Sequence, residues 1–216
     1  MEKTGFLGFF KGKSVRNKVF RGSLKQFSPK QVISQAVKGD FMDIIIKEAV
    51  AGTKDSAVVS KLAEEIWVEH YSGIISRKQV DYMLAKFQSE EAIEKQLGDG
   101  GYRYFVAYSM GKDGEEPVAY ASFTLCPNNQ LFLSKIYVKK EMRSLGIAGN
   151  LIDRAIQCYE IKKNFSIYLT VNKNNIVSIA AYKKLGFEIT DNIMAEIGEG
   201  FIMDDYKMTK YYTNEG

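Results

Sequence analysis

Apolar and polar positions along this chain follow two rhythms, and the switches between them mark out the elements. Asp43–Val50 is an apolar, β-rich run and reads as the first strand. Val58, Leu62, Ile66 and Val68 recur at helical spacing within Ala57–Glu69. A second helix is predicted over Arg77–Leu97, with Val80, Met83, Leu84, Phe87 and Ile93 on one side, until Gly98-Asp99-Gly100-Gly101 ends it. Strands follow at Tyr102–Tyr108, Pro117–Leu125 and Leu131–Val138, joined by turns rich in Gly, Pro, Asn and Asp. A helix over Gly146–Lys162, a strand at Ser166–Val171, a helix over Ile176–Leu185 and strands near Phe187–Thr190 and Phe201–Thr209 complete the order. Asp191–Gly200 matches no pattern. Such alternation predicts an α/β fold, a mixed sheet with helices on both faces.

The first forty residues follow neither rhythm. Aromatic residues interleave there with lysines and arginines, and Gly5, Gly8, Gly12 and Gly22 interrupt any long helix. Ser28-Pro29 offers an N-cap and a proline at the first helical position, so a short helix is expected over Pro29–Val37. Nine basic against two acidic residues give this segment a local excess of seven, which leaves the remaining chain at −3 within a net charge of +4. A polyanion or membrane surface would therefore meet the extension, or its aromatics pack on the body. The mildly acidic body argues against nucleic acid on the core.

Composition narrows the chemistry. Hydrophobic residues at 45% suit a globular core. No apolar run approaches the ~18–20 residues that span a bilayer, and Met1–Phe10 lacks the pattern of a secretory leader. The cytoplasm is the expected compartment. Cys126, Cys158 and one histidine are too few for a disulfide framework or a metal cluster, so no metal is expected.

Two segments carry candidate chemistry. In Ile136-Tyr137-Val138-Lys139-Lys140-Glu141-Met142-Arg143-Ser144-Leu145-Gly146-Ile147-Ala148-Gly149 a strand ends, a polar turn follows and a helix begins. The first N–H groups of a helix lack intrahelical partners and carry the positive end of its dipole. A pyrophosphate can accept several of them where Gly146 and Ala148 keep the approach open. Arg143, Lys139 and Lys140 add positive charge, and Ile136–Val138 offers an edge for an extended pantetheine arm. Downstream, Asn172 closes a strand, Asn175 is an N-cap, and Gly186 ends the helix between them. Asn175 and Tyr182 lie seven residues apart, on one helix face. A phenol there can protonate a leaving thiolate as general acid, although most helix tyrosines merely place a hydroxyl at the core's rim.

The runs LFLSKIYV, RSLGIAG and NNIVSIAAYKKLGF resemble the acetyl-CoA-binding core of the GNAT superfamily of N-acetyltransferases. The front half, from Ile66-Trp67-Val68-Glu69-His70-Tyr71 to Phe87-Gln88-Ser89, is similar to bacterial PaiA-like polyamine acetyltransferases. The resemblance covers about Asp43–Thr209. It implies a central, mostly antiparallel sheet flanked by helices in residues 41–216, behind a basic extension at 1–40. It also implies acetyl-CoA as cosubstrate, pyrophosphate on the turn, Asn175 against the coenzyme and Tyr182 as acid. Ala148 stands where many members have glycine. The implied acceptor is the primary amine of a small molecule, polyamine-like, attacking directly in a ternary complex. A protein or peptide amine, or a non-catalytic acyl-CoA-binding module, are the alternatives; a homodimer is compatible with each. Glu69 and His70 are the candidate bases, bordering the acceptor cleft in the family. For His70 the alternative is a residue stabilised at a helix C-terminus by the dipole.

Overall fold

The computed structural model describes residues 30–37, 40–112, 114–159 and 164–213. Its eight-stranded sheet runs β1 (Lys30–Val37), β2 (Asp40–Glu48), β3 (Tyr102–Gly111), β4 (Gly114–Cys126), β5 (Gln130–Val138), β6 (Phe165–Asn172), β8 (Phe201–Tyr212), β7 (Glu188–Gly198) in spatial order. Every neighbouring pair is antiparallel except β5 and β6. The expected mixed, mostly antiparallel sheet is present.

Two hydrophobic clusters occupy its two faces. On one side α1 (Asp55–His70) contributes Val59, Leu62, Ala63 and Ile66, spaced i, i+3, i+4, i+7, to a cluster with Tyr104 and Tyr120. α2 (Arg77–Met83) and α3 (Glu90–Gly98) complete that layer with Val80, Met83 and Ile93. On the other side α4 (Ile147–Tyr159) buries Ile147, Leu151, Ile152 and Ala155, and α5 (Ile176–Lys184) adds Ile179. Each fully buried Ile, Leu or Phe contributes roughly 1.5–3 kcal/mol of transfer free energy. Ile44, Phe105, Phe123 and Leu151 all reach zero exposure in this second cluster.

Three expectations change. Lys30–Val37 is a strand antiparallel to β2, not a helix, so the sheet begins ahead of the boundary drawn at residue 40. Val32-Ile33 carries β-branched side chains, and pairing with a waiting sheet edge outweighs a local Ser-Pro start signal. The helix predicted over Arg77–Leu97 is broken: a π-helical turn at Leu84–Gln88 leads to Ser89, whose extended backbone and side chain (accepting from the Ala92 N–H at 3.2 Å) start α3. Asp191–Gly200, without assignment above, is the distal part of the β7–β8 hairpin. Residues 1–29 of the basic extension, and 160–162 of the helix expected to reach Lys162, lie outside the described residues.

The hairpin is docked. Tyr82 donates its hydroxyl hydrogen to the Ile197 carbonyl at 2.7 Å, and Lys86 donates to the same oxygen at 2.6 Å. The adjoining Gly198 has φ +107°, and a side chain there would run into the Tyr82 hydroxyl, so glycine is required.

Candidate active site

The site begins with a fault in the sheet. Opposite β4, Ser122 pairs with Lys135 but Phe123 pairs with Leu133, leaving Ser134 as an extra residue in β5. A bulge of this kind bends its strand and reverses which side chains face which layer. Before it, Leu131 and Leu133 pack in the α4/α5 layer; after it, Ile136 and Val138 do, while Tyr137 joins the α1 layer. β5 and β6 pair only through Gln130–Phe132 against Ser166–Tyr168. Beyond that point they diverge, and the facing edges of Ser134–Val138 and Leu169–Asn172 line a cleft of about 1060 Å³.

At one mouth of the cleft lies the turn into α4. Lys140–Met142 forms a single 3₁₀ turn, and then Ser144 and Gly146 take φ values of +65° and +73°. Turns that alternate right- and left-handed residues can gather their backbone N–H groups into a concavity suited to an anion, and this one leads directly into the start of α4. Arg143, Ser144, Gly146, Ile147, Ala148 and Gly149 line the cleft. Leu145 instead packs on the core. The Arg143 Nε donates to the Val138 carbonyl at 3.1 Å, and its Nη2 donates to Glu69 at 2.5 Å. Lys139 points elsewhere: it is buried, with Nζ bridging Glu65 at 3.0 Å and Glu116 at 2.9 Å, which corrects its expected place beside the phosphates.

The second segment closes the same cleft. Asn175 accepts from the Ser178 N–H at 3.2 Å as N-cap of α5, and Asn172 accepts from the Asn174 N–H at 3.0 Å. Because the Asn175 carbonyl oxygen holds the cap, its amide nitrogen is the donor toward His70 Nε2, 2.9 Å away. His70 therefore accepts at Nε2 and carries its proton on Nδ1. Burial, and then the Arg143 charge, hold its pKa below the ordinary histidine range, so it is neutral at neutral pH. Glu69, at the cleft's rim, is held below the usual carboxylate range chiefly by its hydrogen bond from Arg143.

Deeper in, the cleft becomes aromatic. Tyr71 and Tyr137 share a hydrogen bond at 3.0 Å, Trp67 lies 5.2 Å from the Tyr137 ring, and Tyr120 stacks on Tyr137 at 5.4 Å. Trp67 Nε1 donates to the Tyr120 hydroxyl at 3.2 Å, which fixes the wall. The Tyr182 ring packs against Phe187 at 6.0 Å. Burial raises the Tyr182 pKa well above the ordinary phenol, and the neighbouring Tyr71 raises it further, so its proton is retained. Burial likewise pushes Tyr71 up to about 12.

Asp205 of β8, which sequence patterns did not single out, lines this chamber at 2% exposure. Burial pushes its carboxyl up to about 6, against an opposing hydrogen bond from Thr170. Only its parity with Met203 on a strand next to the cleft signals its place, and that requires knowing the strand order.

The cleft thus joins an edge-splayed parallel pair, a turn into a helix start and a buried phenol. The sequence matches the model of the acetyltransferase (GNAT) family over residues 61–187. The chain belongs to the GNAT acetyltransferase family. This acetyltransferase is similar in structure to the PaiA N-acetyltransferase of Thermoplasma acidophilum, solved in complex with coenzyme A. They share 20% identity at a TM-score of 0.59, over 77% of this chain and 99% of that one. A GCN5-related N-acetyltransferase of Rhodopseudomonas palustris gives 15% identity and a TM-score of 0.60, over 88% and 100% of the two chains. NAA60 of Arabidopsis thaliana, solved with a bisubstrate analogue, gives 15% and 0.55, over 78% and 99%. No curated protein sequence matches the chain. Among the described residues, no helix of this acetyltransferase is long and apolar enough to cross a membrane.

Proposed function

We propose that this enzyme moves the acetyl group of acetyl-CoA to the primary amine of a small molecule by direct attack within a ternary complex. One observation carries the reading: a single cleft is lined both by the turn at Gly146 and by the aromatic residues Trp67, Tyr71 and Tyr137, and Tyr182 lines the same cleft. The unpaired amides of the turn and of α4 bind the pyrophosphate, and Gly146 lets it approach. The open edge of β5 pairs with the pantetheine amides. Acetyl-CoA supplies the activated thioester. Tyr182, kept protonated by its surroundings, donates its proton to the departing sulfur. Neither Cys126 nor Cys158 lines the cleft, which favours direct transfer over an acyl-cysteine relay.

Of the two candidate bases, Glu69 is engaged by Arg143 and His70 Nε2 by Asn175. Both side chains brace the coenzyme turn and the N-cap of α5 in this reading, and the proton acceptor lies elsewhere in the chamber.

Amine-dependent thiol release from acetyl-CoA by the purified full chain tests the proposal, using arylalkyl monoamines, spermidine and peptides as acceptors. Turnover with at least one small amine is expected. Tight CoA binding with no turnover on any amine would mark a non-catalytic acyl-CoA-binding module. Turnover on peptides alone would reassign the acceptor. Tyr182→Phe is expected to lower kcat by ~10²-fold or more while leaving coenzyme affinity in place; an unchanged kcat rejects the acid role.

A further inference from the structure

The chamber holds a charged group that the cradle and the phenol leave unexplained. Asp205 is 2% exposed and lines the cleft, yet its Oδ1 has no hydrogen-bond partner among the described residues. A buried carboxylate oxygen without a protein donor is costly, and in native proteins a ligand, an ion or an ordered water supplies the missing partner. Thr170 of β6 holds the group; Lys173 pairs at 2.5 Å with the adjacent Asp204, and the charges of both are felt at Asp205 without an ion pair to it. Across the chamber stand the joined hydroxyls of Tyr71 and Tyr137, and the negative charge of Asp205 is felt at Tyr71. A donor-poor carboxylate facing electron-rich rings is a receptor for an ammonium.

We propose that the Asp205 carboxylate anchors the ammonium of the acceptor and takes its proton, and that the chamber selects acceptors with a single positive charge on an apolar, aromatic-compatible body. The proposal rests on the acetyl-transfer reading above and names its substrate class. Asp205 is the one acidic residue among the described residues that line the cleft. A polyamine would bring further ammonium groups into a space walled by Trp67, Tyr71, Tyr137 and Met203. Lys135 lines the same space, buried, with Nζ donating to Gln96 Oε1 at 2.7 Å. Burial pushes its pKa down to about 7, the direction expected where a further cation would be poorly solvated.

The step balances as follows. The acceptor ammonium gives one proton to Asp205, and its nitrogen lone pair forms a bond to the acetyl carbonyl carbon. The carbon–sulfur bond then breaks, and the sulfur receives the Tyr182 proton. The nitrogen's second proton restores the tyrosine, and the first leaves to solvent from Asp205. Products are the N-acetyl amide, CoA thiol and one free proton.

Two measurements on the full chain test this. Asp205→Asn is expected to lower kcat/KM for phenethylamine by ~100-fold or more, with CoA affinity by calorimetry within about threefold of the parent as the check on folding. In the parent protein, phenethylamine is expected to compete against the preferred amine acceptor roughly 10- to 100-fold better than 2-phenylethanol, its uncharged analogue. That comparison decides the matter if the variant does not fold. Amine turnover that survives Asp205→Asn, or equal inhibition by amine and alcohol, overturns the anchor. A higher kcat/KM for spermidine than for any monoamine overturns the single-charge selection. An absence of turnover with every amine, alongside intact CoA binding and no amine preference, counts against the anchor and the acetyl-transfer reading together, whereas turnover without an Asp205 effect counts against the anchor alone.

Discussion

The coenzyme half and the acceptor half of the cleft are assembled from different kinds of atom. On the coenzyme side the binding groups, in the proposed reading, are main-chain amides of the turn Arg143–Gly149, the N-terminus of α4 and the open edge of β5. Those amides are contiguous in sequence, and their geometry is set by two left-handed residues and a bulge. On the proposed acceptor side the groups are side chains that line the cleft: Trp67 and Tyr71 from around the end of α1, Tyr137 from β5, Tyr182 from α5 and Asp205 from β8. Here 138 positions of sequence, from Trp67 to Asp205, meet in one chamber. A backbone-built half tolerates many side-chain changes, so one coenzyme can serve a whole family. A side-chain-built half can be rewritten one residue at a time, which lets the acceptor vary on a constant fold.

Substitutions that separate the halves sharpen this contrast. The largest effect is expected for Gly146→Val, which places a β-branched residue at φ +73° and blocks the approach to the helix start. Coenzyme affinity by calorimetry is expected to fall on the order of 100-fold. A change under about threefold would remove the cradle from the account.

Next in size is a stability effect confined to the acceptor half. The Asp205 carboxyl is raised from its usual 3.8 to about 6, so the folded state binds that proton more tightly than the unfolded chain does. Its contribution to stability is complete below the ordinary carboxylate range and is lost as pH rises through about 6. Asp205→Asn avoids that loss. The variant is expected to be more stable than the parent near pH 7.5 by on the order of 2 kcal/mol, with the advantage gone near pH 4, as read from urea midpoints. A variant less stable than the parent near pH 7.5 would contradict the strain assigned to this residue. Gaining stability while losing turnover is the signature of a group retained for function.

The smallest effect belongs to the rim. Arg143→Gln removes one cation from a turn whose main grip is main chain, so the coenzyme dissociation constant is expected to rise about tenfold at low salt. The rise should shrink toward high salt, because the arginine is partly exposed and screened. A loss as large as that of Gly146→Val would shift the binding energy from amides to side chain.

Most elements were legible because their causes are local. The i, i+3, i+4 spacing in α1, the Asn175 cap of α5 and the turns between β3, β4 and β5 act over a few residues. β1 departs from the helix expected there because an isolated Ser-Pro signal favours a helix until β2 is present to pair with. The break at Ser89 is legible in hindsight: Ile93 falls about 220° around a continuous helix from Val80, off the face of Met83, Leu84 and Phe87, and Ser89-Glu90-Glu91 is a start signal in its own right. His70 lines the cleft as its place at the end of α1 implies, but its tautomer depends on Asn175, 105 positions away, and its neutral state on burial and Arg143.

By itself the sequence determined the strand–turn–helix at Gly146, the capped helix bearing Tyr182 and the acetyl-CoA-binding family to which they point, since each depends on neighbours along the chain. Tertiary structure alone decided that Ser134 bulges, that β5 parts from β6, and that Asp205 lines one cleft with Tyr71 and Tyr137. Burial, parity across a sheet and the field of distant charges exist only once the strands have taken their order, and those are the quantities that turn an ordinary aspartate into a candidate base.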